Sequence, residues 1–409
     1  YLGGGPGSSA MPNAPWMKYW KYLDERDFIL FEQRGTTYAQ PNLACPEWSK
    51  AWQKAQQLQL TNQQADSMLS IAARACKIRL EKEGIDLNAY RTTETAKDII
   101  DLISVLGIKE YNILSLSYGT KIAQTLMRDH PEGIRSVVMD SPLPLEANYD
   151  LESIDNLLDA YSRCFDDCAA DPNCHKSFPD LQKRFYEFLE ETNTTPLEVA
   201  ITNPNTNKEE VFKIRGNDIV YLLAMLKTAQ MSALPLLISN IMEGDMEIIQ
   251  NKLRQLFDPP RAGNGLGMRL SVWCAEETAF INAAEIAEAT STYSFLKGAS
   301  PVLYDPKICD IWGVQPANKI ENEAIQSDIP CLIINGAYDN ETPVKWGKQL
   351  HQNLRASFHM IFPGFHHCPS TYWDNPCAMH AAQDFFQNPQ EFPKTECFTQ
   401  IKVPLFKTE

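Results

Sequence analysis

Nothing in the 409 residues approaches the roughly 20 consecutive apolar positions that a membrane-spanning helix requires; the longest runs, at residues 219–226 and 329–334, stop far short. Basic residues are scarce. Lys and Arg number 37 against 52 Asp and Glu, a formal net charge of −15, and no local Lys/Arg tract stands out, which argues against a nucleic-acid partner. None of the 11 cysteines forms a Cys-x-x-Cys pair with a matching Cys or His pair, so a zinc site is not expected. The glycine-rich start is not followed by Gly-Lys-Ser/Thr, so a nucleotide-phosphate cradle is a poor fit. Neither a metal nor a cofactor is implied. The sequence also has no initiator Met and no basic-then-apolar leader before Tyr1-Leu2-Gly3-Gly4-Gly5-Pro6-Gly7. Because a glycine loop usually follows a strand, the expectation is that the native protein carries further N-terminal strands.

What is present is ordinary globular material, 44% hydrophobic and 22% charged, enough for a sizeable core with an accessory domain. Most cysteines lie in polar, loop-like settings such as Asn42-Leu43-Ala44-Cys45-Pro46 and Asp171-Pro172-Asn173-Cys174, whereas Cys331 sits in an apolar run. That distribution predicts disulfides and an oxidising compartment, and the odd total leaves at least one thiol free if all bonds are intramolecular.

Residues 27–31 read as a short strand ending in Gln33-Arg34-Gly35. From 63 to 83 the apolar residues Ala65, Met68, Leu69, Ala72, Cys76 and Leu80 recur at helical spacing, and a second helix over 97–106 is capped by Thr93 and stopped by Gly107. Residues 111–115 then read as a buried strand, 120–129 as a helix and 134–140 as another strand. Such alternation of nearly continuous apolar strands with helices marks an α/β protein whose parallel sheet is covered on both faces. Between about 141 and 324 the pattern turns to amphipathic helices with one hairpin at 197–202 and 210–214. The alternation resumes with strands at 329–335 and 357–362 and helices at 344–353 and 377–386. The expected division is therefore a first core part over 1–145, a mainly helical cap over 146–324, and a second core part over 325–409.

Ser115-Leu116-Ser117-Tyr118-Gly119 falls between a strand and a helix, where a tight turn can hold a nucleophilic Ser117 at strained backbone angles with small neighbours on either side. Asn335-Gly336-Ala337-Tyr338-Asp339 and Pro363-Gly364-Phe365-His366-His367 each follow a later strand, giving the order nucleophile, acid, base at the C-terminal ends of a parallel sheet. Asp140, also at a strand end, is a rival acid, and residue chemistry alone does not separate His366 from His367. Gly3 to Gly7 can turn N–H groups toward one point, so Gly5 and Tyr118 are the expected oxyanion donors.

Together these pieces resemble the prolyl aminopeptidase and tripeptidyl aminopeptidase group of α/β hydrolases, including its TAP-like C-terminal region, nearly end to end. Gly4-Gly5-Pro6-Gly7 resembles the HGGPG loop of that group with Gly3 for its His, and Glu32-Gln33-Arg34-Gly35 resembles its DQRG with Glu for Asp. The elbow resembles GxSYG with Ser115 for Gly; residues 336–343 resemble GxxDxxTP; Gly364-Phe365-His366-His367 resembles GxGH with His366 for Gly, a register that selects His367. Cys274-Ala275-Glu276-Glu277 resembles the cap motif CxE, whose carboxylates grip a substrate α-amino group, which makes Glu276 and Glu277 the expected substrate-binding pair. The resemblance further implies the cystines Cys45–Cys76, Cys168–Cys174, Cys274–Cys309 and Cys377–Cys397, and a secreted or periplasmic protein.

The expected activity is a metal-independent serine exopeptidase that releases N-terminal residues or short peptides through an acyl-enzyme on Ser117. A carboxylesterase or lipase on the same triad is the alternative, favoured if the cap pocket is apolar and Glu276 points away from it. An inactive binding scaffold is a further one, suggested by the departures at Gly3, Ser115 and His366. The expected partner is a peptide or ester substrate; the oligomeric state is left open.

Overall fold

A computed structural model describes residues 1–224, 226, 228–259, 265–291, 304–403 and 405–409. Helices α1 (Pro46–Gln57), α2 (Asn62–Lys82) and α3 (Thr92–Val105) precede strand β1 (Tyr111–Leu116), helix α4 (Gly119–Asp129) and strand β2 (Ile134–Asp140). A long insertion follows. It comprises α5 (Tyr149–Ala170), α6 (Pro172–Ser177), α7 (Leu181–Thr194), the hairpin strands β3 (Leu197–Thr202) and β4 (Glu209–Ile214), α8 (Gly216–Ala224), α9 (Thr228–Met231), α10 (Leu234–Met242), α11 (Glu247–Gln255), α12 (Leu266–Glu276), α13 (Ala283–Ser291) and α14 (Pro306–Trp312). The sheet resumes with β5 (Cys331–Gly336), α15 (Val344–Asn353) and β6 (Ser357–Phe362), and α16 (Cys377–Gln387) and α17 (Glu396–Gln400) close the chain.

The main sheet has the order β1-β2-β5-β6, every pair parallel, so β2 and β5 are neighbours although the whole insertion separates them in sequence. Side chains alternate between two apolar layers, as a strand's period of two requires. Ile113, Val137, Met139, Cys331 and Ile333 pack with Ile122, Ala123 and Leu126 of α4 on one face. Leu114, Val138, Leu332, Ile334, Met360 and Phe362 pack with Ala378, Ala381, Ala382 and Phe385 of α16 on the other. Burial on both faces is why these strands read as continuous apolar runs.

Three local expectations change. Residues 27–31 form no strand; Leu2 instead runs parallel to β1, its N–H donating to Leu114 O at 2.8 Å and its carbonyl accepting from Leu116 N at 3.0 Å. Thr93 lies inside α3, whose cap residue is Arg91 with no side-chain cap bond, because the helix begins at Thr92, two residues earlier than a Thr93 cap implies. The segment expected as a single cap buries its apolar side chains in two places. Leu158, Phe165, Phe185, Val199, Ile219 and Ile238 form a cluster of their own, whereas Met268, Leu270, Trp273 of α12 and Ile308, Trp312 of α14 join the layer beneath the sheet.

All four cystines implied by the resemblance are formed, leaving Cys164 and Cys331 buried and Cys368 half-buried as free thiols. Cys45–Cys76 ties the start of α1 to α2, and Cys274–Cys309 ties α12 to α14. The sequence separations are 31 residues for Cys45–Cys76 and 6 for Cys168–Cys174. Loop-closure entropy assigns roughly 3–4 kcal/mol to the longer loop and roughly 2 to the shorter. Replacing each pair by serines and measuring urea unfolding should therefore show the larger loss for Cys45→Ser/Cys76→Ser. The reverse order would mean that native-state contacts, rather than constraint of the unfolded chain, set the effect.

Candidate active site

The turn from β1 into α4 places Ser117 at φ +53°, in the left-handed region that non-glycine residues seldom occupy. Ser117 N donates to Asp140 O at 3.0 Å, and Ser117 O accepts from Thr120 N at 2.8 Å and from the Thr120 hydroxyl at 2.6 Å, so the strained residue is held on both sides. Gly119 has no alternative: a Cβ there would stand 2.3 Å from Leu2 O and 2.8 Å from Gly3 O. A Cβ on Gly4 would likewise come within 2.9 Å of Ser117 Cβ, so the glycine loop passes directly over the serine. Ser115, unusual at its position, is buried with its hydroxyl donating to Val138 O at 2.8 Å, so the polar atom is satisfied inside the sheet.

Asp339 and His367 are brought together from the ends of β5 and β6. His367 Nδ1 lies 2.9 Å from Asp339 Oδ2 and 3.1 Å from Oδ1. The buried carboxylate also accepts from Glu341 N and Thr342 N on Oδ1 and from the Thr342 hydroxyl on Oδ2, each at 2.9 Å. Burial by itself would raise the Asp339 pKa, but the adjacent His367 and these donors bring it down to about 2. Burial likewise opposes charge on His367, yet Asp339 above all, then Cys368 and Glu341, hold its pKa well above the usual imidazole value. Glu341 Oε2 stands 3.8 Å from His367 Nε2.

Thr342, whose hydroxyl is also 3.2 Å from His367 Nδ1, is a site residue that the sequence reading quoted in a motif without assigning it a role. Its place three residues after the acid, closing the turn over the carboxylate, was the available signal.

Asp140 is not the partner of the histidine. Its Oδ2 accepts from Ser370 N at 2.7 Å and from the Ser370 hydroxyl at 2.5 Å, and burial lifts its pKa to about 7. His367, rather than His366, lines the cavity and faces Asp339.

The cavity, of about 360 Å³, is lined by Gly3 to Pro6, Ser117, Tyr118, Tyr149, Arg269, Trp273, Glu277, Glu341 and His367, among others. Gly5 and Tyr118, the expected oxyanion donors, line the same cavity as Ser117. The two cap carboxylates separate. Glu277 reaches the cavity, where its carboxylate pairs with buried Lys121 and accepts from Tyr149 N at 3.2 Å. Glu276 does not line the cavity: Thr92 N and the Thr92 hydroxyl donate to it at 2.8 and 2.5 Å, and burial raises its pKa to about 7. Glu276 is the last residue of α12 and Glu277 the cap residue beyond it, and their carboxylates meet different partners, Thr92 and Lys121. Among the described residues no cluster of three or more His, Cys, Asp or Glu stands ready for a metal, and no helix is long and apolar enough to cross a membrane.

The family model described as alpha/beta hydrolase fold matches residues 1–199, and that described as TAP-like protein matches residues 297–397. With the parallel sheet and the serine turn at its C-terminal edge, the chain is an α/β hydrolase. Within that fold, its C-terminal part over residues 297–397 is similar to the TAP-like group. The serine protease Hip1 of Mycobacterium tuberculosis is 24% identical over 400 residues, covering 89% of this chain and 74% of that protein. The putative hydrolase YuaR of Escherichia coli is 22% identical over 366 residues, covering 84% and 68%.

The electrostatics predict the titration of His367. Its raised pKa means that the ring stays protonated above pH 6.5 and that the stability of the pair, complete below the unfolded-state value, is lost as pH rises through the folded one. For Asp339 the sign is opposite: its contribution is present above pH 3.8 and is lost as pH falls toward about 2. Ring-proton NMR should place the His367 midpoint above 6.5 and show it falling in Asp339→Asn. An unchanged midpoint in that variant would refute the assigned cause.

Proposed function

We propose that this hydrolase is a serine exopeptidase in which Ser117 attacks the scissile carbonyl, His367 takes the serine proton and returns it to the leaving amine, and Asp339 orients the imidazole and stabilises its charged form. The carrying observation is the His367–Asp339 hydrogen bond standing at a cavity that also holds the strained Ser117. The backbone N–H groups of Gly5 and Tyr118 are the donors assigned to the tetrahedral oxyanion. Water activated by His367 then hydrolyses the acyl-enzyme.

The peptidase reading draws support from the carboxylates of Glu277 and Glu341 on the cavity wall, which suit a substrate ammonium, and from the name serine protease carried by a relative that spans most of the chain. Glu277 takes over the role expected of Glu276. Two observations favour a carboxylesterase instead: Glu276 is turned away from the cavity toward Thr92, and the Glu277 charge is already matched by Lys121, so less of it is available to an amine. The four disulfides support an oxidising compartment, periplasmic or extracellular.

Aminoacyl and tripeptidyl anilides with free or acetylated N-termini, run beside short nitrophenyl esters, test the reading. Cleavage of the free-amine anilides is expected, with acetylation lowering kcat/KM by about tenfold or more, the loss of one charge-assisted hydrogen bond. Ser117→Ala should lose about 10⁶-fold in kcat, the scale for removal of a triad serine. Ester turnover without anilide cleavage would make the protein a carboxylesterase.

A further inference from the structure

Around the cavity the charged side chains are matched, with one exception. Glu277 is paired with Lys121, Asp339 with His367, and Glu341 faces His367. Arg269, on the first turns of α12, lines the same cavity as Ser117 and His367. It has no carboxylate within ion-pair distance among the described residues. Its guanidinium lies 5.4 Å over the Trp273 ring, and its buried Nε has no hydrogen-bond partner. The Tyr304 hydroxyl is hydrogen-bonded to the Arg269 side chain, and the arginine's charge opposes the upward pKa shift that burial causes in both Tyr149 and Tyr304, so it is Nε rather than the whole guanidinium that lacks a partner.

The cation–π contact holds the guanidinium over the indole face, and the fork of donors of an arginine matches a carboxylate in two parallel hydrogen bonds. Leaving a buried N–H unpaired is unfavourable, so the free protein is poised for an acceptor that the substrate brings. The placement is close to the reacting atoms: a Cβ on Gly7 of the glycine loop would come within 3.3 Å of Arg269 Cβ, so α12 carries the arginine alongside the loop that passes over Ser117.

We propose that Arg269 is a specificity-determining residue that binds a substrate carboxylate, so that the preferred substrates are anionic close to the bond that is cleaved. The proposal rests on Ser117 being the nucleophile but not on the choice between peptidase and esterase. The carboxylate has two possible sources, an acidic side chain beside the scissile bond or the free C-terminus of a short peptide, and the recognition chemistry is the same.

Three substrate pairs separate these sources. One pair is anilides with Glu or Gln as the acylating residue; the second is short peptides ending in a free carboxylate or an amide; the third is nitrophenyl esters of glutaric or glutaramic acid. In at least one pair the wild type should favour the carboxylate by about tenfold to a hundredfold in kcat/KM, the range of a charge-assisted hydrogen bond. Arg269→Met, which keeps a side-chain stem on Trp273, should bring that ratio to about one, and Arg269→Lys should restore part of it. Matched melting curves establish that the variants fold. A wild-type ratio near one in every pair, or a ratio that survives in Arg269→Met, overturns the proposal. If the anilides and peptides fail while the esters turn over, the exopeptidase reading falls and the ester pair alone decides Arg269. Should nothing turn over, calorimetry with glutarate and glutaramide decides it: glutarate binding that is lost in Arg269→Met supports the assignment, and equal or absent binding refutes it.

Discussion

The site depends on the contact between two pieces of backbone. Gly119 opens α4 directly beneath the carbonyls of Leu2 and Gly3, closer than any side chain would allow. The same segment, through Leu2, is hydrogen-bonded to both sides of Ser115. This one approach lets the strand turn sharply into the helix, holds Ser117 in its strained conformation, and lays the glycine loop over the serine side chain. The strain at one residue is small beside the hydrogen bonds and burial that enforce it.

Legibility in the sequence followed how local each cause is. The parallel strands and the helices around them were readable because burial on both faces gives continuous apolar runs, as in Val137-Val138-Met139 of β2 and Cys331-Leu332-Ile333-Ile334 of β5. The serine, acid and histidine were readable because each sits just beyond such a run. Residues 27–31 misled because an apolar run carries no information about whether a partner strand lies beside it; here Leu2 is the segment that meets β1. Arg269 was silent for a similar reason. Its significance lies in what surrounds it across the cavity, and no spacing along the chain reports that. The four cystines came from family resemblance rather than from the spacing of the cysteines.

The electrostatic arrangement is also more economical than the count of acidic residues suggests. Despite the net charge of −15, the carboxylates nearest the serine are tied to partners: Asp339 to His367 and Thr342, Glu277 to Lys121. Asp140 is bound into the loop that follows the histidine through Ser370, so it braces that loop from below. The local field at the cavity is therefore set by a few groups, with Glu341 and Arg269 on its walls.

Helix α12 is secured along its length. Its start abuts Gly7, Cys274 is bonded to Cys309, and Glu276 accepts two hydrogen bonds from Thr92, whose hydroxyl also meets that of Tyr118 beside the nucleophile. A wall anchored in this way cannot swing aside as a door. It serves as a fixed gauge along one side of the cavity, whereas the helices α5 to α11 pack around a core of their own and, among the described residues, touch the cavity only through Tyr149.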